Sequence, residues 1–146
     1  MSQASEPFRR YLAADHVLEE MCDFGSRRLD ELNVPQILLL GILGGGFITA
    51  GALFSILLGM GMDDSGVKLL LEGVGFSTGF FFVVLSEAAL FTEANVVLPA
   101  TLLYKSRQVA TLRVVRFWLL AWIGNYLGAL ILGWLIFSAQ EYPASF

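Results

Sequence analysis

The sequence predicts an all-α integral membrane protein: three transmembrane helices, the second of them broken, preceded by an amphipathic helix. Three observations carry that prediction: two long uncharged runs, a third apolar stretch interrupted by carboxylates, and a composition that suits lipid as the surrounding solvent. The 146 residues (16.0 kDa) are 56% hydrophobic and 15% charged, with a mean hydropathy of +0.69, whereas soluble domains carry about 25% charged residues. A net charge of −4 and a pI near 4.8 leave no basic stripe to neutralise phosphates, which excludes a nucleic-acid binder. Cys22 stands alone, which excludes a disulfide framework.

Residues 1–33 form the first unit. Phe8, Tyr11, Leu12, Leu18, Met21 and Cys22 recur near helical spacing among charges. This pattern predicts an amphipathic helix lying on the inner membrane surface or against neighbouring subunits. The transmembrane half-domain, 34–146, follows. Val34 to Met62 carries no charge, and roughly 20 apolar residues cross a hydrocarbon core about 30 Å thick, so a first span covers about 34–60. It is no secretory signal, because a long charged segment precedes it and it exceeds an h-region of about 7–15 residues.

The stretch from Gly73 to Tyr104 would run about 48 Å as one straight helix, more than the bilayer allows. It also carries Glu87 and Glu93, and a carboxylate at the midplane costs about 2.5–3.5 kcal/mol or more. A second span over 73–103, broken near 87–92, resolves both problems. Non-helical backbone at that depth must be buried in protein or line a water-filled cavity, so the break points to a pore or binding site. Thr92 is the expected N-cap of the second half-helix, with Glu93 on its positive end, Asn95 bonding backward and Pro99 in or near its first turn. The third span, about 114–138, lies within the uncharged run Phe117 to Gln140, with Trp118, Trp122, Trp134 and Tyr142 as interfacial anchors.

Arg9, Arg10, Arg27 and Arg28 precede the first span, and Lys105, Arg107, Arg113 and Arg116 lie between the second and third. Lys68 is alone in the other loop. This bias places the N-terminus in the cytoplasm and the C-terminus outside. Glu87 and Glu93 are candidates for a gate or proton relay, since intramembrane carboxylates are functional by default; the alternatives are an ion-paired interface carboxyl for Glu87 and plain helix capping for Glu93. Gly44, Gly45, Gly124 and Gly128, with Asn125 among them, suit close helix packing, or the approach of an anion or the broken segment to the backbone. His16 and Cys22 have no second ligand nearby, so no metal site and no cofactor are expected, and no nucleophile with its base supports an enzyme.

Gly75-Phe76-Ser77-Thr78-Gly79 followed by Ala89-Leu90-Phe91-Thr92 resembles the formate/nitrite transporter family. Gly41-Ile42-Leu43-Gly44-Gly45-Gly46-Phe47-Ile48-Thr49-Ala50-Gly51 resembles its first helix, and Trp122, Gly124-Asn125 and Gly128 its third. The resemblance implies the N-terminal three-helix half of an aquaporin-like inverted-repeat fold that assembles as a pentamer with one pore per subunit. It implies passage of small monovalent anions, passive or proton-linked, in a prokaryotic inner membrane. It also implies apolar constrictions from Phe76, Phe80, Leu90 and Phe91, with Thr92 hydrogen-bonding near the anion. The family's usual Gly-Ala-Asp/Glu before Leu-Phe-Thr is Glu87-Ala88-Ala89 here, and its pore histidine belongs to the other half. Beyond the bilayer, the implied partners are other copies of the chain or a second polypeptide supplying the missing half. The alternative function is a non-transporting membrane scaffold or assembly subunit that keeps the fold.

Overall fold

The computed structural model describes residues 14–104 and 111–139, which are all-helical: α1 (Ala14–Glu31), α2 (Val34–Gly59), α3 (Gly66–Ser86), α4 (Phe91–Tyr104) and α5 (Thr111–Ala139). Phe8, Tyr11 and Leu12 of the amphipathic pattern, the cations Arg9, Arg10, Lys105 and Arg107, and Tyr142 lie outside the described residues. Of the five helices, α2, α3 and α5 are long and apolar enough to cross a membrane.

Local chemistry sets the helix ends. Asn33 opens α2 with a capping box: its side chain accepts from the Gln36 N–H at 3.1 Å, and the Gln36 side chain accepts from the Asn33 N–H at 2.9 Å. Pro35, in the first turn, has no N–H to lose to the ladder. Gly61, at φ 74°, turns the chain toward α3, which begins where the Ser65 side chain accepts from the Lys68 N–H at 3.3 Å. α3 therefore starts at Gly66, seven residues before the expected Gly73. Lys68, counted in the sequence as a loop charge, is helical and pairs with Asp64 at 2.7 Å.

α2 is the central helix, packed against α3 on one side and α5 on the other. Small residues make that possible. A side chain begun at Gly41 would meet the Cα of Gly124 at 3.0 Å, and one at Gly44 would meet the Ala89 carbonyl at 2.7 Å. Substituents at Gly45 and Gly128 would collide with the backbone of Asn125 and Ile42. These contacts are backbone to backbone, with no flexible side chain to give way. The outward faces stay apolar, with Leu39, Ile56, Leu69, Val84 and Trp134 exposed, as a lipid-solvated surface requires.

α1 is packed along α4 of its own chain, a contact that placement on a membrane surface or a neighbouring subunit does not include. Its buried side is Cys22, Gly25, Arg28 and Leu29. Gly25 faces Val97 and Thr101, while the Thr101 hydroxyl bonds the Val97 carbonyl at 2.8 Å and reaches that of Cys22 at 3.5 Å. Arg28 meets Glu93 further along, so α1 and α4 run antiparallel. Pro99 falls inside α4 rather than in its first turn, which removes one ladder bond, to the Asn95 carbonyl.

Gly124→Leu is expected to wedge α5 from α2 and to cost about 1–3 kcal/mol or more, as overpacking does. Gly46→Ala, where no neighbour lies within 4 Å, is expected to leave the packing intact and to stabilise by up to about 1 kcal/mol through helix propensity. Thermal midpoints of the two variants in detergent check the contrast.

Candidate functional site at the helix break

α3 ends in a reciprocal pair of hydrogen bonds. The Ala88 N–H donates to the Val83 carbonyl at 3.1 Å and the Glu87 N–H to the Val84 carbonyl at 3.4 Å, the Schellman pattern, with Glu87 left-handed at φ 51° and ψ 31°. That position favours glycine, and a side-chain-bearing residue there costs about 1–2 kcal/mol. Arg28 holds it in place: its guanidinium donates to the Glu87 carbonyl at 2.6 Å and lies 3.5 Å from that of Ala88. Glu87 makes these hydrogen bonds through its backbone, while its side chain is exposed.

The non-helical backbone runs from Glu87 to Leu90, shorter than the expected 87–92. It crosses α2 about 10–15 Å along that helix from Val34, at the level of Leu40 to Gly44. Here the Ala89 N–H donates to the Leu40 carbonyl at 3.1 Å. One side chain ties three more of these backbone groups together. The Asn125 amide, from the midpoint of α5, donates to the Gly41 carbonyl at 2.8 Å and the Ala89 carbonyl at 2.7 Å, and its oxygen accepts from the Phe91 N–H at 2.9 Å.

This revises the expected start of the second half-helix. The first ladder bond runs from the Ala94 N–H to the Leu90 carbonyl at 3.0 Å, so Leu90 holds the N-cap position and Thr92 lies in the first turn. The cap oxygen comes from Asn125, across the fold, and Asn95 is exposed on α4. The N–H groups of Thr92 and Glu93 precede the ladder at the positive end of the helix. Trp118 steadies the same turn from α5, its indole N–H donating to the Ala94 carbonyl at 3.0 Å.

Two cavities meet at this turn. One, of about 570 Å³, opens between Phe24 and Arg28 of α1 and the Glu87–Glu93 region; the other, of about 450 Å³, lies between Thr49, Phe76, Trp122 and Asn125. Phe80, Leu90 and Thr92 line both and therefore form the partition. Phe76 packs edge-on against Phe80, with centroids 5.6 Å apart. Phe91, grouped with them by the family resemblance, lines neither cavity, and its N–H donates to Asn125. Gly45 borders the smaller cavity, whereas Gly44, Gly124 and Gly128 face neighbouring backbone.

Arg28 was counted from sequence only as a topological charge. In the structure it is 8% exposed, lies 3.6 Å from the Glu93 carboxylate and sits 4.5 Å over the Phe24 ring. Burial pulls its pKa down and Glu93, then Glu87, pulls it back up; a guanidinium in that setting stays charged. The signal was available, since Cys22, Gly25, Arg28 and Leu29 share one helical face, and an arginine on a buried face needs a partner. Among the described residues no group of histidine, cysteine and carboxylates could hold a metal.

The chain is thus an α-helical integral membrane protein whose backbone is interrupted beside paired cavities. A family model for the formate/nitrite transporter matches residues 15–145, and the chain belongs to that family. It is 30% identical over 122 residues to the uncharacterized transporter YrhG of Bacillus subtilis, covering 82% of this chain and 45% of that protein. It is 28% identical over 111 residues to the uncharacterized transporter YHL008C of Saccharomyces cerevisiae, covering 71% of this chain and 17% of that one. The formate channel FocA of Haemophilus influenzae is 31% identical over 81 residues, 55% of this chain and 28% of that channel. The chain therefore spans less than half the length of each of these relatives.

Asn125→Leu removes three hydrogen bonds while keeping the volume, and is expected to cost about 2–4 kcal/mol at roughly 1 kcal/mol per bond. Equilibrium unfolding in detergent measures it. Glu87→Gly is expected to raise the thermal midpoint, because relieving about 1–2 kcal/mol of backbone cost outweighs the loss of an exposed carboxylate's attraction to Arg28; thermal unfolding in detergent measures it.

Proposed function

We propose that the chain builds one wall of a membrane passage for small monovalent anions, of the formate/nitrite type. The observation that carries this reading is the partition of Phe80, Leu90 and Thr92 between two cavities, set at the N-terminal turn of α4. The apolar side chains exclude water and strip a small anion of its shell. Thr92 and the free N–H groups of the first turn return part of that hydration, as helix ends do for anions in broken-helix transporters. Passage is passive or proton-linked, with Glu87 and Glu93 the nearest carboxylates.

In this reading the helices form half of an aquaporin-like fold. An opposing half closes the passage, supplied by further polypeptide or by another chain, in an oligomer within a prokaryotic inner membrane. The lysine and arginine bias supports a cytoplasmic position for α1. Asn125 and the glycines of α2 and α5 hold the partition at fixed width, and Phe76 stands beyond it in the smaller cavity.

Flux of formate and of nitrite into liposomes bearing the complete complex tests the reading. Thr92→Val is expected to slow both about tenfold, the equivalent of one lost hydrogen bond of about 1.4 kcal/mol, and Thr92→Ser to restore them. Phe80→Ala is expected to widen the partition and admit larger monocarboxylates. Rates untouched by Thr92→Val and Phe80→Ala would remove the partition from the path.

A further inference from the structure

The larger cavity has one cationic and two anionic side chains among its described lining residues: Arg28 against Glu87 and Glu93. Such an entrance would carry two negative charges without Arg28, and an anion approaching within about 4 Å of an extra unit charge is slowed about fivefold even at the permittivity of water. The walls here include Phe24, Phe80, Val83 and Leu90, so the local permittivity is lower and the repulsion greater. Glu93 is the carboxylate that matters most, because it stands in the first turn of α4, directly after Thr92.

Arg28 is fixed where it can answer that charge. The Glu87 and Ala88 carbonyls hold one arm of the guanidinium, the Phe24 ring lies beneath it, and the other arm faces Glu93 at 3.6 Å. An arginine held by backbone cannot swing away when an ion passes. Glu93 is less constrained, its side chain 36% exposed against 9% for Arg28. Building on the transport reading above, we infer that the Arg28–Glu93 pair sets the charge selectivity of this entrance: α1 contributes the cation that cancels the first-turn carboxylate and lets a monovalent anion reach Thr92. Arg28 acts here as a positioning and specificity residue, reaching the path through Glu93 and the break. α1 is thereby part of the passage rather than a peripheral anchor.

The test is formate flux through the complete complex in liposomes, at ionic strengths of about 0.01 M and about 0.15 M, where the screening length falls from about 30 Å to about 8 Å. Glu93→Gln, which keeps shape, is expected to raise flux about fivefold at low salt, with the gain shrinking at high salt. Arg28→Gln is expected to lower flux with the opposite salt dependence, Arg28→Lys, which keeps the charge but not the two-armed hold, to lower it less, and the double Gln variant to return it toward wild type. A merely structural role would not produce a salt-dependent gain in Glu93→Gln. Should Arg28→Gln fail to fold, Glu93→Gln still decides the matter. Flux unchanged in Glu93→Gln at both ionic strengths, or changed equally at both, overturns the inference and leaves the transport reading standing. A folded wild-type complex that passes neither formate nor nitrite overturns both.

Discussion

The structure around the break depends on one carboxamide. Backbone that leaves a helix while buried against its neighbours has no water to satisfy it, and each unpaired polar group costs several kcal/mol. Asn125 meets that demand from both ends of its amide, donating to α2 and to the break and accepting from the first N–H of α4. No hydroxyl could do this, because an amide has two donor hydrogens and a carbonyl oxygen fixed in one plane. The surrounding glycines follow from the same requirement: a side chain at Gly45 would strike the Asn125 backbone, and one at Gly41 or Gly124 would hold the two helices apart.

A second joint lies on the α1 side and is built of charge. Arg28 secures the carbonyls of Glu87 and Ala88 where α3 stops, much as Asn125 secures Ala89 and Phe91 where α4 starts. The four-residue interruption is therefore gripped by α1, α2 and α5 at once. This explains how a left-handed glutamate is tolerated at Glu87, a position where local preference alone favours glycine. It also gives the charged N-terminal helix a place in the fold, packed antiparallel on α4.

Much of the architecture was legible because bulk properties announce it. Uncharged runs of membrane-spanning length mark α2 and α5. Of the two carboxylates, Glu87 falls in the non-helical stretch and Glu93 just after it, whereas α3, which starts earlier than expected, is by itself long enough to cross a membrane. Less legible was anything that depends on a distant partner. Thr92 looked like a cap because it is the right residue type in the right local setting, yet the capping oxygen arrives from Asn125, far along the chain. Pro99 suggested a first turn nearby, and the helix instead accommodates it in its interior. Lys68 and Arg28 read from sequence as charges for orientation, which hides that one lies in the first turn of α3 and the other is buried against the break. Phe91 was grouped with the apolar partition by resemblance, while its position at the head of α4 engages its backbone.

The hydrogen bonds of the break also impose an order on assembly. The Leu40 and Gly41 carbonyls belong to a helix made before residues 87–90, whereas Asn125 belongs to one made after them. While the chain emerges from the ribosome, the Ala89 N–H can find Leu40 as soon as α2 and α3 pair. The Ala89 carbonyl and the Phe91 N–H must wait for α5 to enter. Until then these two groups lack their partner, so α5 is the element that completes the break.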